Sequence, residues 1–242
     1  AQTNVAVDIA RQLIDYLKND TIKNAVNVPS VSGRVLEELD PFIRMGDRMG
    51  RMLAQLSEGH IKSVEIDYDG DFGDNDMAPV RTAVMCGLLE PLVLDDVNAV
   101  NAPYLAKEKG IKVLESASDD ALEFINLITV TVKTDKETNV VSGTLFGKSD
   151  PRIIRINDFR LEMRAQGNLA LIHNMDIPGE IGAIGTILGD HKINIARMTV
   201  GQEEPEGERN IVFLRTDTPM TKEVLDKLES YPRNRRVIYM EL

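Results

Sequence analysis

Hydrophobic and polar positions along the chain repeat with two different periods, which predict a mixture of strands and helices. Val64 and Ile66 alternate with polar residues, the pattern of a strand with one buried face. Met45 and Met49 instead recur at helical spacing and are expected to pack in a core. Further strands are predicted over 111–115, 128–132, 140–146, 152–157 and 160–164, and helices over 77–89 and before Gly110. The middle of the chain, about 30–160, is therefore predicted to be α/β.

Local signals mark the boundaries of helices in the first sixty residues. Asp40 is a favourable N-cap and Pro41 a favourable first helical residue, so a helix is expected to begin there and to continue to about Ser57. Residues 24–29 end in proline and are expected to be extended. Before them, apolar positions at helical spacing predict an amphipathic helix: Ala6, Ile9, Leu13 and Leu17.

The last third of the chain predicts a small polar pocket at the end of a strand. An apolar segment is followed by the polar residues Asn174 and Asp176 and then by Pro178 and Gly179. Proline fixes φ and glycine permits positive φ, so we expect a sharp turn into a helix whose first N–H groups lack intrahelical acceptors. A carboxylate fits those N–H groups. The amide and carboxylate side chains offer partners for an ammonium and a hydroxyl, so the pattern is typical of a site that senses an amino acid.

The order of elements around this pocket resembles an ACT domain, the βαββαβ module that binds amino acids between two copies. Strands are predicted over 169–173, 193–200, 210–216 and 237–242, with helices over 180–189 and 221–229. A ferredoxin-like module used only for dimerisation is the alternative. The glycines Gly179, Gly182 and Gly185 do not form a dinucleotide-binding motif, because the first two are three positions apart instead of two. They are expected to allow close packing of helices.

The preceding segments resemble parts of the long-form D-3-phosphoglycerate dehydrogenases. Residues 4–10 followed by 25–29 are similar to the closing helix and exit strand of the catalytic unit in that family. The α/β pattern after them resembles the family's intervening domain, also called the allosteric substrate-binding domain. The resemblance covers essentially the whole chain and implies an α/β (α+β) fold in three parts. These are a remnant of the catalytic unit (1–29), an α/β intervening domain (30–164) and a ferredoxin-like ACT domain (165–242).

Composition narrows the class of protein only modestly. With 242 residues, 43% hydrophobic and 28% charged, the chain is large enough for two domains and a connecting piece. The net charge of −11 argues against a general nucleic-acid binder. We identify neither an apolar run approaching the ~20 residues of a membrane span nor a secretion signal. The single cysteine, Cys86, is expected to be a small buried hydrophobe and agrees with a reducing cytoplasm.

Outside the ACT pocket, the arginine side chains are the best candidates for a second binding site. Alternation places Arg160, Glu162 and Arg164 on one face of a strand, while Arg152 begins the strand before it and Arg215 ends an ACT strand. Guanidinium groups bind phosphate and carboxylate through paired hydrogen bonds. The resemblance implies that Arg152, Arg164 and Arg215 line an anion site between the two domains, for a phosphorylated substrate or other polyanions. The alternative is that these arginines face solvent and pair with nearby acids such as Glu162.

The same resemblance implies an L-serine site in the ACT segment. Asn174 and Asp176 match the L-serine ligands of one subunit, and Asn194 matches the ligand contributed by its neighbour. A homodimer or a tetramer is therefore implied. Other members of the family carry tyrosine or histidine at the position of Asn174, so this sequence departs from them there.

Two groups of residues that could suggest metal sites do not fit known patterns. Aspartates crowd the segment 67–76, but an EF-hand loop would need glycine where Phe72 stands and glutamate where Ala78 stands. An acidic surface loop is the simpler interpretation. The chain also contains three scattered histidines, His60, His173 and His191. Their spacing matches no zinc motif or catalytic dyad, so no metal and no nucleophile is assigned.

The resemblance therefore implies the regulatory part of an NAD-dependent dehydrogenase, in which L-serine inhibits the first step of its own synthesis. We find no dinucleotide-binding fold and none of the family's catalytic arginine, glutamate and histidine, so the chain is expected to need no cofactor and to be inactive alone. An independent amino-acid-binding regulator is one alternative. The regulatory half of a serine dehydratase is another. Two features count against it: the sequence lacks the iron-sulfur cysteines of that enzyme, and its segment 25–29 resembles the exit strand of the dehydrogenase.

Overall fold

The computed structural model describes residues 2–19, 33–73, 75–94, 96–203, 207–232 and 234–242. The helices are α1 (Gln2–Asn19), α2 (Gly33–Leu56), α3 (Ala78–Leu89), α4 (Ala102–Glu108), α5 (Glu180–Asp190) and α6 (Lys222–Ser230), with a short 3-10 turn at Glu90–Leu92. The strands are β1 (Ile61–Gly70), β2 (Lys112–Ser118), β3 (Asn126–Thr134), β4 (Thr138–Phe146), β5 (Asp150–Ile156), β6 (Phe159–Met163), β7 (Asn168–Met175), β8 (Ile195–Glu203), β9 (Arg209–Thr216) and β10 (Asn234–Glu241). The predicted mixture of helices and strands is confirmed.

The described strands form a single sheet in the order β10-β7-β9-β8-β6-β5-β4-β3-β1-β2. Strands β1 and β2 are parallel, so they need a crossover connection, which α3 and α4 supply. Strands β7 to β10 with α5 and α6 follow the predicted βαββαβ order. Strand β6 pairs with β8 at Phe159 and Glu203, which joins the two halves of the sheet.

Helices α2 and α3 cross at very short distance on one face of the sheet. A Cβ on Gly87 would lie 2.0 Å from the carbonyl oxygen of Asp47, and a Cβ on Gly50 would lie 2.2 Å from that of Val84. Glycine at both positions therefore lets the two backbones meet. The buried side chains around the crossing include Met45, Met49, Met52, Leu53, Ile66, Leu88 and Val130. The predicted core role of the methionines is confirmed.

Helix α2 begins at Gly33, earlier than predicted, so Asp40 and Pro41 lie inside it. A proline inside a helix loses its own N–H donor and crowds the carbonyl four residues earlier. The turn before Pro41 is helical nevertheless, because it places Leu39, 0% exposed, in the core. The predicted N-cap role of Asp40 is therefore wrong. Its carboxylate pairs instead with Arg44, 3.0 Å away on the next turn.

Helices α5 and α6 cover the other face of the ACT strands and enclose a second core. Along β7, Leu169 and Leu171 face the first core, whereas Ala170 and Ile172 face the second. Burial on both faces explains why this strand is a continuous apolar run instead of an alternating one. The second core also includes Ile184, Leu188, Val212, Leu214, Val224 and Leu228.

Helix α1 forms as predicted, and its apolar face is uncovered. Ile9, Leu13 and Leu17 are 51%, 56% and 79% exposed. The extended segment predicted over 24–29 lies outside the described residues. No described helix, α1 included, is both long and apolar enough to cross a membrane.

Cys86 packs against the first core as the predicted small hydrophobe, but it is half-buried and not fully buried as expected. It lies on α3 within electrostatic reach of Asp47, Glu90 and Arg51. Burial first, and then the negative charges of Asp47 and Glu90, raise the pKa of the Cys86 thiol to about 11. Little reactive thiolate therefore forms at neutral pH.

Candidate functional site

The predicted sharp turn follows β7. Gly179 has a φ of 97° and α5 begins at the next residue, with no side chain capping its first N–H groups. The first N–H groups of a helix have no intrahelical acceptor, so at this turn they can donate hydrogen bonds to a ligand's carboxylate. Asn174 is 1% exposed at the end of the strand, and Asp176 is exposed beside the turn. The structure thus brings Asn174, Asp176 and the start of a helix together.

A row of three buried asparagines crosses the sheet next to this turn. Asn174 on β7 lies opposite Asn234 on β10 and opposite Asn210 on β9. The three residues are 1%, 9% and 4% exposed. Asn210 donates to the carboxylate of Asp176 at 3.1 Å, and Asn234 donates to the carbonyl oxygen of Leu228 at 2.5 Å. Asn210 therefore lies beside one predicted ligand, Asn174, and is bonded to the other, Asp176.

The asparagine row leaves polar atoms without partners. Both amide atoms of Asn174 and the Oδ1 atoms of Asn210 and Asn234 are buried and make no hydrogen bond within the described chain. A buried polar group left unpaired costs about 1–3 kcal/mol, so the row favours an occupant that supplies hydrogen bonds. Three of these four atoms are oxygens, which suits a group that donates, such as an ammonium or a hydroxyl.

Asn194, the third predicted effector residue, lies at the opposite end of the same strands. It immediately precedes β8, which begins level with Thr216 of β9 and Asn168 of β7. Asp176 follows β7, and the rise of a strand over residues 168–176 amounts to about 27 Å. Within its own chain Asn194 donates to Asp217 at 2.5 Å. A single chain therefore does not bring Asn194 to Asp176.

The glycine-bearing face of α5 is uncovered. A Cβ added at Gly179, Gly182 or Gly185 would meet no atom within 4 Å. The predicted close packing of these glycines therefore does not occur within the described chain. Beside them, Ile177 and Ile181 are 39% and 40% exposed. A second chain or a ligand could approach this backbone closely.

Arg152 and Arg164 meet at Asp150, a residue that the sequence alone did not single out. Arg164 binds both oxygens of Asp150, at 3.0 and 2.8 Å, and Arg152 binds one of them at 2.6 Å. These two guanidinium groups, that of Arg152 first, hold the pKa of Asp150 well below its usual range. Arg152 also pairs with Glu162 and lies over the ring of Phe146. The side chain of Arg152 is only 11% exposed, whereas that of Arg164 is 46% exposed and accessible to a ligand.

A polar cleft of about 200 Å³ opens beside Arg164. Its other lining residues are Arg44, Arg48, Ser149, Asp150, Pro151 and Gln166. Arg215 does not line this cleft. Its Cδ atom lies 4.0 Å from the position of a Cβ on Gly167, the residue after Gln166, and it forms no ion pair with a described residue. The structure therefore brings Arg152 and Arg164 together. Arg215 lies apart from them, beside Gly167 in the connection between β6 and β7.

The predicted acidic loop at 67–76 begins only after β1, which ends at Gly70 and includes Asp67 and Asp69, and the loop uses carboxylates of its own. Asp71 accepts a hydrogen bond from the N–H of Gly73 at 2.8 Å, and Asp76 accepts one from the N–H of Ala78 at 2.9 Å. These bonds stabilise a turn and the start of α3. Among the residues that the structure describes, no three histidine, cysteine, aspartate or glutamate side chains converge as a metal site would require.

His173 lies on the face of β7 opposite the asparagine row. Its ring meets the ring of Phe159 edge-on, with 5.9 Å between the centroids. Burial first, and then the positive charges of Arg236 and Arg209, lower the pKa of His173 to about 4. The imidazole is therefore neutral at physiological pH.

His173 should make the fold sensitive to mild acid. Its pKa is about 4 in the folded chain and about 6.5 when unperturbed, so the unfolded chain binds the proton first and stability is lost as pH falls from 6.5 towards 4. Across that window we expect the parent to lose on the order of 2 kcal/mol more than His173→Gln, as measured by urea unfolding at each pH. Parallel pH profiles for the two proteins would show that His173 contributes nothing to acid sensitivity.

Two family profiles match the chain in the order of its structural halves. The D-3-phosphoglycerate dehydrogenase intervening domain matches residues 38–157, and the ACT domain matches residues 169–233. The chain is thus composed of an intervening domain followed by an ACT domain, and the resemblance seen in the sequence is confirmed.

Relatives from several organisms agree with this assignment of an intervening domain and an ACT domain. The D-3-phosphoglycerate dehydrogenase of Methanocaldococcus jannaschii is 31% identical over 242 residues, which cover 100% of this chain and 46% of the relative. That of Bacillus subtilis is 32% identical over 232 residues, which cover 96% of this chain and 44% of the relative. The chain therefore spans less than half the length of these relatives. It belongs to the D-3-phosphoglycerate dehydrogenase family and corresponds to the intervening and ACT domains of its C-terminal part.

Proposed function

We propose that this chain is the regulatory part of an NAD-dependent D-3-phosphoglycerate dehydrogenase and that it binds L-serine as a feedback inhibitor in the cytoplasm. The observation that carries the proposal is the pocket after β7, where a helix start with glycine as its N-cap and exposed Asp176 adjoin buried amide atoms that make no hydrogen bond within the described residues. The names of the matched relatives support the parent reaction. We place the intervening domain at 30–164 and the ACT domain at 165–242, after a remnant of the catalytic unit (1–29), because the connection between β6 and β7 falls at that boundary.

Each group of L-serine has a counterpart in this pocket. Its carboxylate would accept hydrogen bonds from the N–H groups after Gly179. Its ammonium would meet Asp176, whose carboxylate is oriented by the amide of Asn210. Its hydroxyl would be recognised by amides, that of Asn174 within the chain and that of Asn194 from a second chain.

The position of Asn194 supports a pocket that is shared between two copies of the chain. Asn194 is separated from Asp176 by about 27 Å along its own strands, so a second copy must supply it. The uncovered glycine face of α5 offers a surface to that copy. A homodimer is the smallest assembly that completes the pocket, and a tetramer would contain two such pairs.

The chain should therefore sediment as a dimer or a larger oligomer, and L-serine should tighten the association because it bridges two chains. Analytical ultracentrifugation at tens of micromolar, with and without several millimolar L-serine, measures both effects. A monomer under both conditions would contradict the shared pocket.

We further propose that a phosphorylated substrate or another small polyanion binds near Arg152, Arg164 and Arg215. Exposed Arg164 at a polar cleft supports this assignment, as does Arg215, which lies beside Gly167 and forms no ion pair with a described residue. We assign no NAD site and no catalytic residue to this chain. An amino-acid-binding regulator that acts without a dehydrogenase is the alternative function, but the match to the intervening domain favours the dehydrogenase.

A further inference from the structure

Two arginines of α2 extend the polar cleft beyond Arg164. Arg44 and Arg48 are separated by one helical turn, so their side chains lie on the same face of α2. Both line the cleft of about 200 Å³ together with Arg164, which comes from the end of β6. Guanidinium groups from two separate elements of the fold therefore converge on one polar space.

Arg48 differs from its neighbours because no carboxylate among the described residues is bonded to it. Arg44 pairs with Asp40 at 3.0 Å, and Arg164 binds Asp150 through two hydrogen bonds. Arg48 forms no ion pair and no hydrogen bond with any residue in the described part of the chain. Its guanidinium is consequently the least neutralised charge in the cleft.

The surroundings of Arg48 disfavour an unaccompanied positive charge. Burial first, and then the positive charge of Arg44, lower its pKa. The negative charge of Asp47 acts in the opposite direction on this pKa, but that carboxylate is already bonded to Arg51 at 2.9 Å. Its side chain also borders an apolar crevice lined by Met45, Pro151, Ile153 and Ala165. An anion in the cleft would supply the compensating charge that the chain itself does not provide.

The charge of the cleft is opposite to that of the whole chain, which is −11. Its lining contains three arginines and one carboxylate, Asp150, whose oxygens are already bonded to Arg152 and Arg164. We propose that Arg44 and Arg48 bind the phosphate group of an anionic ligand together with Arg164. Arg152 is then a positioning residue that holds Asp150. This inference rests on the proposed anion site and adds to it the ligands from α2.

Phosphate suits this arrangement because its oxygens can accept hydrogen bonds from several directions at once. Arg48 and Arg164 would approach it from α2 and from the sheet, each able to donate two parallel hydrogen bonds. Ser149 and Gln166 line the same cleft and add neutral donors.

Calorimetric titration of the whole chain with inorganic phosphate tests the inference. Arg48→Gln should weaken phosphate binding about tenfold or more, because a charge-assisted contact is lost. Arg51→Gln is the matched control, since it removes one positive charge from the same helix, but Arg51 is engaged by Asp47 and Glu90. The control should change the affinity by less than about threefold, the effect expected of a screened, more distant charge. Arg44→Gln, with a smaller loss, provides a second variant if circular dichroism shows that Arg48→Gln does not fold.

The outcomes separate this inference from the anion site on which it rests. Loss of phosphate binding in Arg164→Ala, with parent affinity in both Arg48→Gln and Arg44→Gln, would refute the α2 ligands and leave the anion site standing. Equal losses in Arg48→Gln and Arg51→Gln would also refute them, because the effect would then be one of net charge. Absence of phosphate binding by the parent at several millimolar would contradict both. L-serine binding should be unchanged in every variant and so reports that the ACT domain is intact.

Discussion

Alanine at Asp176 or at Asn194 should abolish most of the heat of L-serine binding. Asp176 supplies the charge that meets the ligand's ammonium, and its loss would also leave the amide of Asn210 without its acceptor. A hydrogen bond to a charged group contributes about 1.5–3 kcal/mol, so affinity should fall by roughly ten- to a hundredfold. Isothermal titration calorimetry of each variant measures this loss directly.

Asn168→Ala is a suitable control for these variants. Asn168 lies on the same strand as Asn174 but at its far end, where it accepts a hydrogen bond from Tyr239 at 2.9 Å. The control should bind L-serine like the parent. The parent should prefer L-serine to L-alanine and to D-serine, because either analogue leaves a polar group unpaired at a cost of about 1–3 kcal/mol. Heat and thermal stabilisation from another amino acid, but not from L-serine, would refute serine feedback and leave an ACT sensor of different specificity.

The substitution Gly87→Ala should strongly destabilise the intervening domain. The added Cβ would lie 2.0 Å from the backbone carbonyl of Asp47 and 3.0 Å from the N atom of Arg51, so α2 and α3 would have to separate. We expect a loss of roughly 3 kcal/mol or more, seen as a fall of about 6–12 °C in melting temperature. The intrinsic preference of helices for alanine over glycine, about 1 kcal/mol, acts in the opposite direction.

Gly189→Ala separates the effect of helix crossing from that of helix propensity. Gly189 is also inside a helix, but a Cβ there would meet nothing within 4 Å. This variant should be as stable as the parent or slightly more stable. If both alanine variants unfold at the same temperature, the close crossing of α2 and α3 does not limit stability.

Local patterns in the sequence identified most of the elements because the patterns reflect burial directly. The alternation around Ile66 and the helical spacing of Met45 and Met49 correspond to buried faces of β1 and α2. The start of α2 was not predicted correctly, because Asp40 and Pro41 resemble a helix start in isolation. The burial of Leu39, which makes the preceding turn helical, is a property of tertiary packing.

Local sequence patterns indicated the effector pocket only where its residues are close in sequence, whereas Asn194 and the arginines of the anion site were implied by the family resemblance. Asn174 and Asp176 stand beside the Pro-Gly turn, whereas Asn210 and Asn234 reach them through strand register, which local patterns do not determine. One signal was present, since Asn174 follows the apolar run of β7 and Asn210 precedes that of β9. The position of Arg48 in the lining of the cleft likewise depends on how α2 packs against the sheet, so local patterns did not predict it.

Mixing the two effector-site variants tests most directly the central claim that each L-serine pocket takes residues from two chains. In a dimer of either variant, both pockets lack one ligand. In a mixed dimer, one pocket combines Asp176 from the Asn194→Ala chain with Asn194 from the Asp176→Ala chain and is complete. Random exchange makes half of the dimers mixed, so calorimetry of an equimolar, exchanged mixture should recover about a quarter of the parent's L-serine sites at parent affinity. No recovery, with exchange of subunits demonstrated, would contradict the shared pocket.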